Sequence, residues 1–267
     1  MLRTARLNAY IFFNGALLSY IALFRWSRPI TYLASMVVAP LSYMLFFVLL
    51  GKSAAGGQDT SFYVIGNAVQ MAAGSGIFGV TMSISGDRWD GTLPYLFATP
   101  ANRLLLFVGR AFIHVINGMF GVMLGFMWGV LLLGLDLSKA DPIAMALVIL
   151  ITTISTSGMG LFLGCLSLIT RNVMFVNNTV FFSLLLFSGA NIPVAILPAW
   201  MQSVSQALPL TRGIASARII VDGGNLSEVM PLLRGELLIG VVYIFIGFYM
   251  FRWFEIQAKK RGTLEAI

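Results

Sequence analysis

Charge is what this sequence has least of. Of its 267 residues only 10% are Asp, Glu, Lys or Arg, while 58% are hydrophobic. A soluble domain carries about 25% charged residues, so a water-solvated globule is excluded and the chain reads as a membrane protein. Histidine and cysteine each occur once, as His114 and Cys165. A lone histidine without clustered carboxylates or thiols makes a poor metal or catalytic centre. Hydrogen bonding inside a helix bundle, near the cytoplasmic face, is the expected use of His114. Cys165 lies in an apolar run, has no partner for a disulfide, and reads as a small buried hydrophobe. No nucleophile, base and oxyanion site come together, so catalysis is not expected. The net charge of +7 would suit nucleic acid, but the basic residues stand at the ends of apolar runs, which is the signature of membrane orientation. No nucleic-acid partner is expected.

Long apolar runs are what the sequence has instead. A membrane span takes about 20 apolar residues at 1.5 Å rise each. Six segments qualify, near Ile30–Leu50, Phe62–Ser85, Ala111–Leu135, Pro142–Ile169, Val173–Ala190 and Leu237–Trp253. The third is expected to begin earlier, near Asn102. The fold class is therefore all-α, a single domain over residues 1–267 with six transmembrane helices. Ala9–Phe24 is shorter and is bracketed by Arg3/Arg6 and Arg25/Arg28. Arginine at both ends, with Tyr10 and Asn14 near the same stripe, suits an amphipathic helix lying in the interface, assigned to residues 1–29. No small-residue cleavage site precedes Arg25, which argues against a signal peptide.

Orientation follows from the basic residues. With both termini on one side, that side carries Arg3, Arg6, Arg25, Arg28, Arg88, Arg103, Arg110, Arg171, Arg252, Lys259, Lys260 and Arg261, against Asp87, Asp90, Glu255 and Glu265, a net of +8. The other side has five basic residues, Lys52, Lys139, Arg212, Arg218 and Arg234, against six acidic ones, a net of −1. The positive-inside rule places both termini in the cytoplasm of a cell inner or plasma membrane.

Three familiar motifs are discounted. "GSGIFG" (Gly74–Gly79) matches a dinucleotide-binding pattern but sits within a span, where close helix packing is the better reading. "GKS" (Gly51–Ser53) echoes a phosphate-binding loop, yet Phe46 stands where its first glycine belongs. "NNT" (Asn177–Thr179) is a sequon inside a span. Gly121, Gly125 and Gly129, and likewise Gly160 and Gly164, recur every four residues and present small faces for packing within the bundle or between protomers.

Two stretches interrupt the oil. Between the last two spans, Pro193, Pro198 and Pro209 divide residues 191–222 into apolar pieces of about ten residues, with Trp200 as an interfacial anchor. Ten helical residues reach about 15 Å, half a hydrocarbon core. Broken helices are tolerated at that depth when buried in protein, so these pieces are expected to be re-entrant half-helices entered from outside. The other stretch is residues 87–100. Pro94 fits only a first helical turn, so a helix should start near Thr92 and stop before Pro100. Leu93, Leu96 and Phe97 make one apolar face, flanked by Asp87, Arg88 and Asp90. About two turns of helix are unstable alone and need something to dock into.

"GDRWDGTLPYLFATPANR" resembles the region between spans two and three of type-2 ATP-binding-cassette (ABC) permeases, where an acidic-basic-x-acidic-Gly-Thr-Leu run precedes Thr-Pro. "SGANIPVAILPAWMQSVSQALPLTRGIASAR" resembles the same family's proline-rich segment before the last span, and the order of elements matches along nearly the whole chain. Asp87 and Asp90 stand where the family has glutamates, and Pro94 where glutamate is common. The resemblance implies that Asp87, Arg88, Asp90, Gly91, Thr92, Leu93, Leu96, Phe97 and Pro100 form a cytoplasmic coupling helix seated in a partner ATPase subunit. It implies a second permease, identical or homologous, and an exit gate at Pro193, Pro198, Pro209 and Arg218. It implies no cofactor in this chain, since ATP and Mg belong to the ATPase, and no metal site. Polar residues within spans, Asn67, Gln70, Asn117 and Asn177, are candidates for the translocation path. The expected function is outward transport of a hydrophobic drug-like or lipid-like substrate, as in daunorubicin-resistance-type permeases, with a lipid-linked glycan as the alternative cargo. The other class, an ion-coupled secondary transporter, would need carboxylates within spans, and only Glu236 comes near one.

Overall fold

The computed structural model describes residues 2–26, 30, 34–54, 60–92, 95, 103–167 and 172–261. Secondary structure among them is helical throughout. α1 runs Leu2–Trp26. A short π-helical stretch, Ala34–Val38, leads into α2, Ala39–Ala54. α3 (Ser61–Ala73), a π segment (Gly74–Gly79) and α4 (Val80–Trp89) form one continuous rod. α5 spans Arg103–Leu133, α6 Pro142–Ser167 and α7 Val173–Phe187. A 3₁₀ turn at Val194–Ile196 precedes α8, Ala199–Ala207, and α9, Thr211–Val221. α10 closes the series at Leu226–Arg261.

Four helices are long and apolar enough to cross a membrane: Ser61–Asp87, Leu105–Leu133, Pro142–Leu166 and Leu226–Phe254. Ala39–Ser53 and Val173–Phe187 are apolar but shorter. Fifteen helical residues reach about 22 Å, less than the roughly 30 Å of a hydrocarbon core. α5 begins at Arg103, as the pattern anticipates. α10 begins eleven residues before the expected Leu237. Glu228, Pro231, Arg234 and Glu236 mark the apparent end of the apolar run, but they do not end the helix.

The bundle has two ends. At the distal end α3, α6 and α10 begin and α2, α5 and α7 finish. At the proximal end α4 finishes and α5 begins. α3, the π segment and α6 form the buried centre, and α5 and α10 flank it with large exposed faces. The main core gathers residues such as Val64, Ile77, Val148, Ile214 and Leu233. A smaller apolar cluster of Val80, Ile84, Phe107, Ala111, Leu161, Cys165 and Phe251 fills the proximal end. Cys165 is thus the buried hydrophobe its position suggests.

Glycine sets the helix spacing, as expected of membrane bundles. A Cβ on Gly240 would lie 2.7 Å from the Ser155 Cα, and one on Gly247 would lie 3.0 Å from the backbone of Phe162. α10 therefore lies backbone-to-backbone along α6. Gly125 and Gly129 face Ala68 and Val64 of α3, and Gly160 faces the Gly76 carbonyl. These small faces are consumed within the chain. "GSGIFG" packs as expected, Gly76 against Thr156 and Gly79 against His114, but it does so as a π turn, a local widening that periodicity does not reveal.

α1 packs antiparallel on the first half of α5. Gly15 lies at the Leu106 backbone and Gly109 at that of Phe12, while Ala16 and Ser19 are buried. Tyr10, Phe13, Leu17 and Ile21 are exposed on the other side.

Candidate functional site

The proximal site begins with how α4 ends. Gly91 has φ +67°, the left-handed region that only glycine enters freely. The Thr92 N–H donates to the Asp87 carbonyl at 2.9 Å, and the Asp90 N–H to that of Gly86 at 2.8 Å. This is a Schellman ending, with Gly91 just past the helix and a bond from the next residue back to the third-last carbonyl. Nothing lies within 4 Å of a Cβ placed on Gly91, so backbone conformation, not space, requires the glycine.

Asp87 and Arg88 therefore belong to the last turn of the long rod, ahead of the short helix expected from the sequence. Asp87 is also occupied. Its carboxylate takes two bonds from Arg110 of α5, at 2.5 and 3.2 Å, and the Thr92 hydroxyl donates to it at 3.2 Å. Arg110 adds a 2.8 Å bond to the Ser83 carbonyl. Both side chains are mostly buried, at 11% and 15% exposure, so the bidentate pair locks α4 to α5. Asp90 and Tyr95 are exposed, Tyr95 at 75%. Leu93, Leu96, Phe97 and Pro100 lie outside the described residues.

The distal site is built by the prolines. Pro193 precedes the 3₁₀ turn, Pro198 caps the N-terminus of α8, and Pro209 separates α8 from α9. α8 is largely exposed, with Trp200 at its surface. α9 is not: Ile214, Ala217 and Ile220 have no exposed surface. Gly213 sits against Thr152 of α6, and Glu236 of α10 accepts a 2.7 Å bond from the Leu210 N–H. Thr152 and Glu236 each lie ten residues past the first residue of their helix, about 15 Å along it. The α8–α9 turn thus sits well inside the bundle, and α9 returns to the distal end. There Val221 and Asp222 meet Thr60, Ser61, Asp136 and Lys139 around a cleft of about 280 Å³.

Arg218 fastens α9. One amino group of its guanidinium donates to the carbonyls of Gly189 (2.8 Å), Phe62 (3.0 Å) and Ala190 (3.4 Å), and its carbon stands 3.6 Å above the Phe62 ring. A planar cation stacked on an aromatic ring and chelated by carbonyls is a use of arginine that lysine does not replace. Arg218 joins the end of α7, the start of α3 and the returning half-helix.

The four spanning polar residues are not brought to one passage. Asn67 donates to Asn191 at 2.8 Å, and the Ser188 hydroxyl donates to Gln70 at 3.4 Å. Both thus tie α3 to the segment that follows α7. Asn117 bonds Ser75, whose hydroxyl in turn donates to the His114 carbonyl. Asn177 is fully buried on α7. The His114 ring is also buried, and neither of its nitrogens has a hydrogen-bond partner among the described residues. The bonding expected of it is made by its backbone carbonyl instead. Among the described residues no group of three or more His, Cys, Asp or Glu could hold a metal ion. Reasoning from sequence missed two functional contacts, Arg110 with Asp87 and Glu236 with Leu210. Each joins successive helices through residues more than twenty positions apart, and only the presence of a charged residue type at or within an apolar run signals either one.

A family model described as ABC-2 type transporter matches residues 14–221. The chain belongs to the ABC-2 type transporter family. It is accordingly a multi-pass membrane permease of an ATP-binding-cassette transporter, a transport subunit whose family implies an ATPase partner. The match takes in the rod that ends at Gly91 and both half-helices α8 and α9. No match to a curated protein was found.

Proposed function

We propose that the chain is the permease subunit of an ATP-driven exporter that moves a hydrophobic, drug-like or lipid-like substrate out of the cell. In this reading α2 and α7 complete a set of six crossings, and the proximal end and both termini are cytoplasmic. α1 serves as the interfacial helix. Residues 87–100 form the coupling element for the ATPase, with the Asp87–Arg110 pair carrying its motion into α4 and α5. Two permeases and two ATPase subunits make the working unit.

The observation that carries this reading is the α8–α9 hairpin. It turns beside Thr152, past ten uncharged residues of α6, with α9 buried and Arg218 closing its outer end. Helices broken at such depth are stable only inside protein or at a cavity, which suits an exit gate built from Pro193, Pro198, Pro209 and Arg218. The apolar character of the cargo is supported by where polarity goes. Asn67 and Gln70 are bonded inside the chain, while the exposed faces of α2 and α7 carry Phe46, Leu49, Leu50, Phe175, Phe182 and Leu186. A path against those faces is greasy.

The test uses the permease co-purified with its ATPase and reconstituted in vesicles. Hydrolysis should rise with hydrophobic dyes or lipids, and ATP should drive them into inside-out vesicles. Pro209→Ala and Arg218→Ala should lower transport severalfold while the ATPase still co-purifies. Stimulation by a lipid-linked glycan alone would replace the cargo assignment, and ATP-driven movement in the opposite sense would overturn the export direction.

A further inference from the structure

Glu236 is a carboxyl group with no exposed surface, placed where α10 passes the turn of the hairpin. Burying a carboxylate in apolar surroundings is costly unless its charge is used. What it uses is the turn. Leu210 has φ +79°, the one non-glycine residue with positive φ among those described. It occupies the N-cap position of α9, its side chain is fully buried, and its N–H points at the Glu236 carboxylate over 2.7 Å. The Leu210 N–H donates to one carboxyl oxygen; the other, Oε2, is buried with no hydrogen-bond partner among the described residues. An acceptor at a helix N-terminus satisfies amides that the helix leaves unpaired, and a negative charge there complements the helix dipole.

From this geometry we infer that Glu236 is the latch of the hairpin, a positioning residue that holds the α8–α9 turn in its closed place. The inference rests on the reading of the hairpin as a re-entrant exit gate. A leucine does not stay in a left-handed conformation unaided; the carboxylate supplies the missing acceptor and keeps it there. α10 is a single helix from Leu226 to Arg261. It carries Glu236 at one level and Phe251, packed edge-on against Phe107 of α5, at the proximal end. Tyr243 on the same helix donates to the Ala207 carbonyl at 3.2 Å, so α10 grips the hairpin on both sides of its turn. Arg218 holds the far end of α9 to α3 and to the segment after α7. The turn and the body of α9 thus both lie along α10, and Arg218 adds a second attachment at the outer end of α9. Sliding of α10 would therefore load the bond from Glu236 to Leu210 along with the rest of the α9–α10 contact.

The experiment measures labelling of Ile214→Cys by a membrane-impermeant maleimide applied from outside, in a Cys165→Ala background with Asn225→Cys as the exposed control. With Glu236 intact, Ile214→Cys should be protected. Glu236→Ala should raise its labelling rate roughly tenfold to hundredfold, the range that loss of a charged hydrogen bond supports. Glu236→Asp, one methylene short of Leu210, should raise it as well. Glu236→Gln keeps an acceptor oxygen in place without the charge and should label more slowly than Glu236→Ala. Leu210→Gly removes the backbone conflict, so Leu210→Gly/Glu236→Ala should return toward protection. Protection that persists in both Glu236→Ala and Glu236→Asp overturns the latch and leaves the gate reading standing. Glu236→Gln as open as Glu236→Ala also overturns it. If Glu236→Ala fails to accumulate, Glu236→Asp decides the matter alone. Free labelling of Ile214→Cys with Glu236 intact, at the rate of Asn225→Cys, sinks the re-entrant reading itself.

Discussion

Asp87 illustrates how a residue is read differently from sequence and from structure. Charge and position mark it as a group for a partner protein, yet its carboxylate is held by Arg110 inside the same chain. Removing one member leaves a mostly buried charge alone, at a cost of about 3 kcal/mol. Asp87→Ala or Arg110→Ala should therefore lower the thermal midpoint of the purified permease and weaken cargo-stimulated hydrolysis together. The reciprocal swap, Asp87→Arg with Arg110→Asp, should recover part of both. If Asp87→Ala abolishes ATPase binding at an unchanged thermal midpoint, the carboxylate faces the partner after all. Gly91 allows a cleaner change. Gly91→Ala meets no atom within 4 Å but forces a left-handed alanine, worth about 1 kcal/mol. It should loosen ATPase docking without lowering the yield of folded permease.

At the scale of elements, helix contacts are decided by where a Cβ can fit. Gly240 faces the Ser155 backbone, while Gly86 faces open space. Gly240→Leu should separate α6 from α10 and destabilise the bundle by several kcal/mol, beyond the usual overpacking range of about 1–3. Gly86→Ala should be neutral or stabilising by up to about 1 kcal/mol on helix propensity. A melting curve for each, read in the same detergent, checks the pair; equal midpoints would refute the assigned α6–α10 contact. The apolar runs made the long helices legible, and the prolines marked where the short helices α8 and α9 are broken apart. Periodicity could not show the π segment, because one widened turn barely disturbs a hydrophobic pattern. Nor could it show that α10 starts at Leu226, since Glu228, Pro231 and Arg234 end the apolar run without ending the helix. The positive φ of Leu210 was illegible for a plainer reason: no local signal predicts it, and Glu236, which stabilises it, is 26 positions away.

For the whole molecule, the charge asymmetry makes a definite claim. Cysteines at Lys52, Lys139 and Asn225 should label from outside, and cysteines at Thr4 and Arg88 only from the cytoplasm, in the Cys165→Ala background. Labelling of Thr4→Cys from outside would make α1 a crossing and overturn the six-span arrangement. Leu96→Asp, which places a charge on the expected apolar face of the coupling element, should cut ATPase co-purification while leaving insertion intact. Unchanged co-purification would remove that element from the interface.

The π segment gives the central rod a property beyond packing. Above it, α3 is pinned by Asn67 to Asn191 and by Phe62 to Arg218; below it, α4 is pinned by Asp87 to Arg110. Successive residues of a helix are about 100° apart around the axis. Were the widened turn to tighten to ordinary α-helix with its upper half held, the extra residue would have to be absorbed by rotation. α4 would turn by about 100°, and Asp87 would swing off Arg110 toward another neighbour. A rod so built would act as a gear as well as a strut if that one turn tightened, giving a quarter-turn beneath the core.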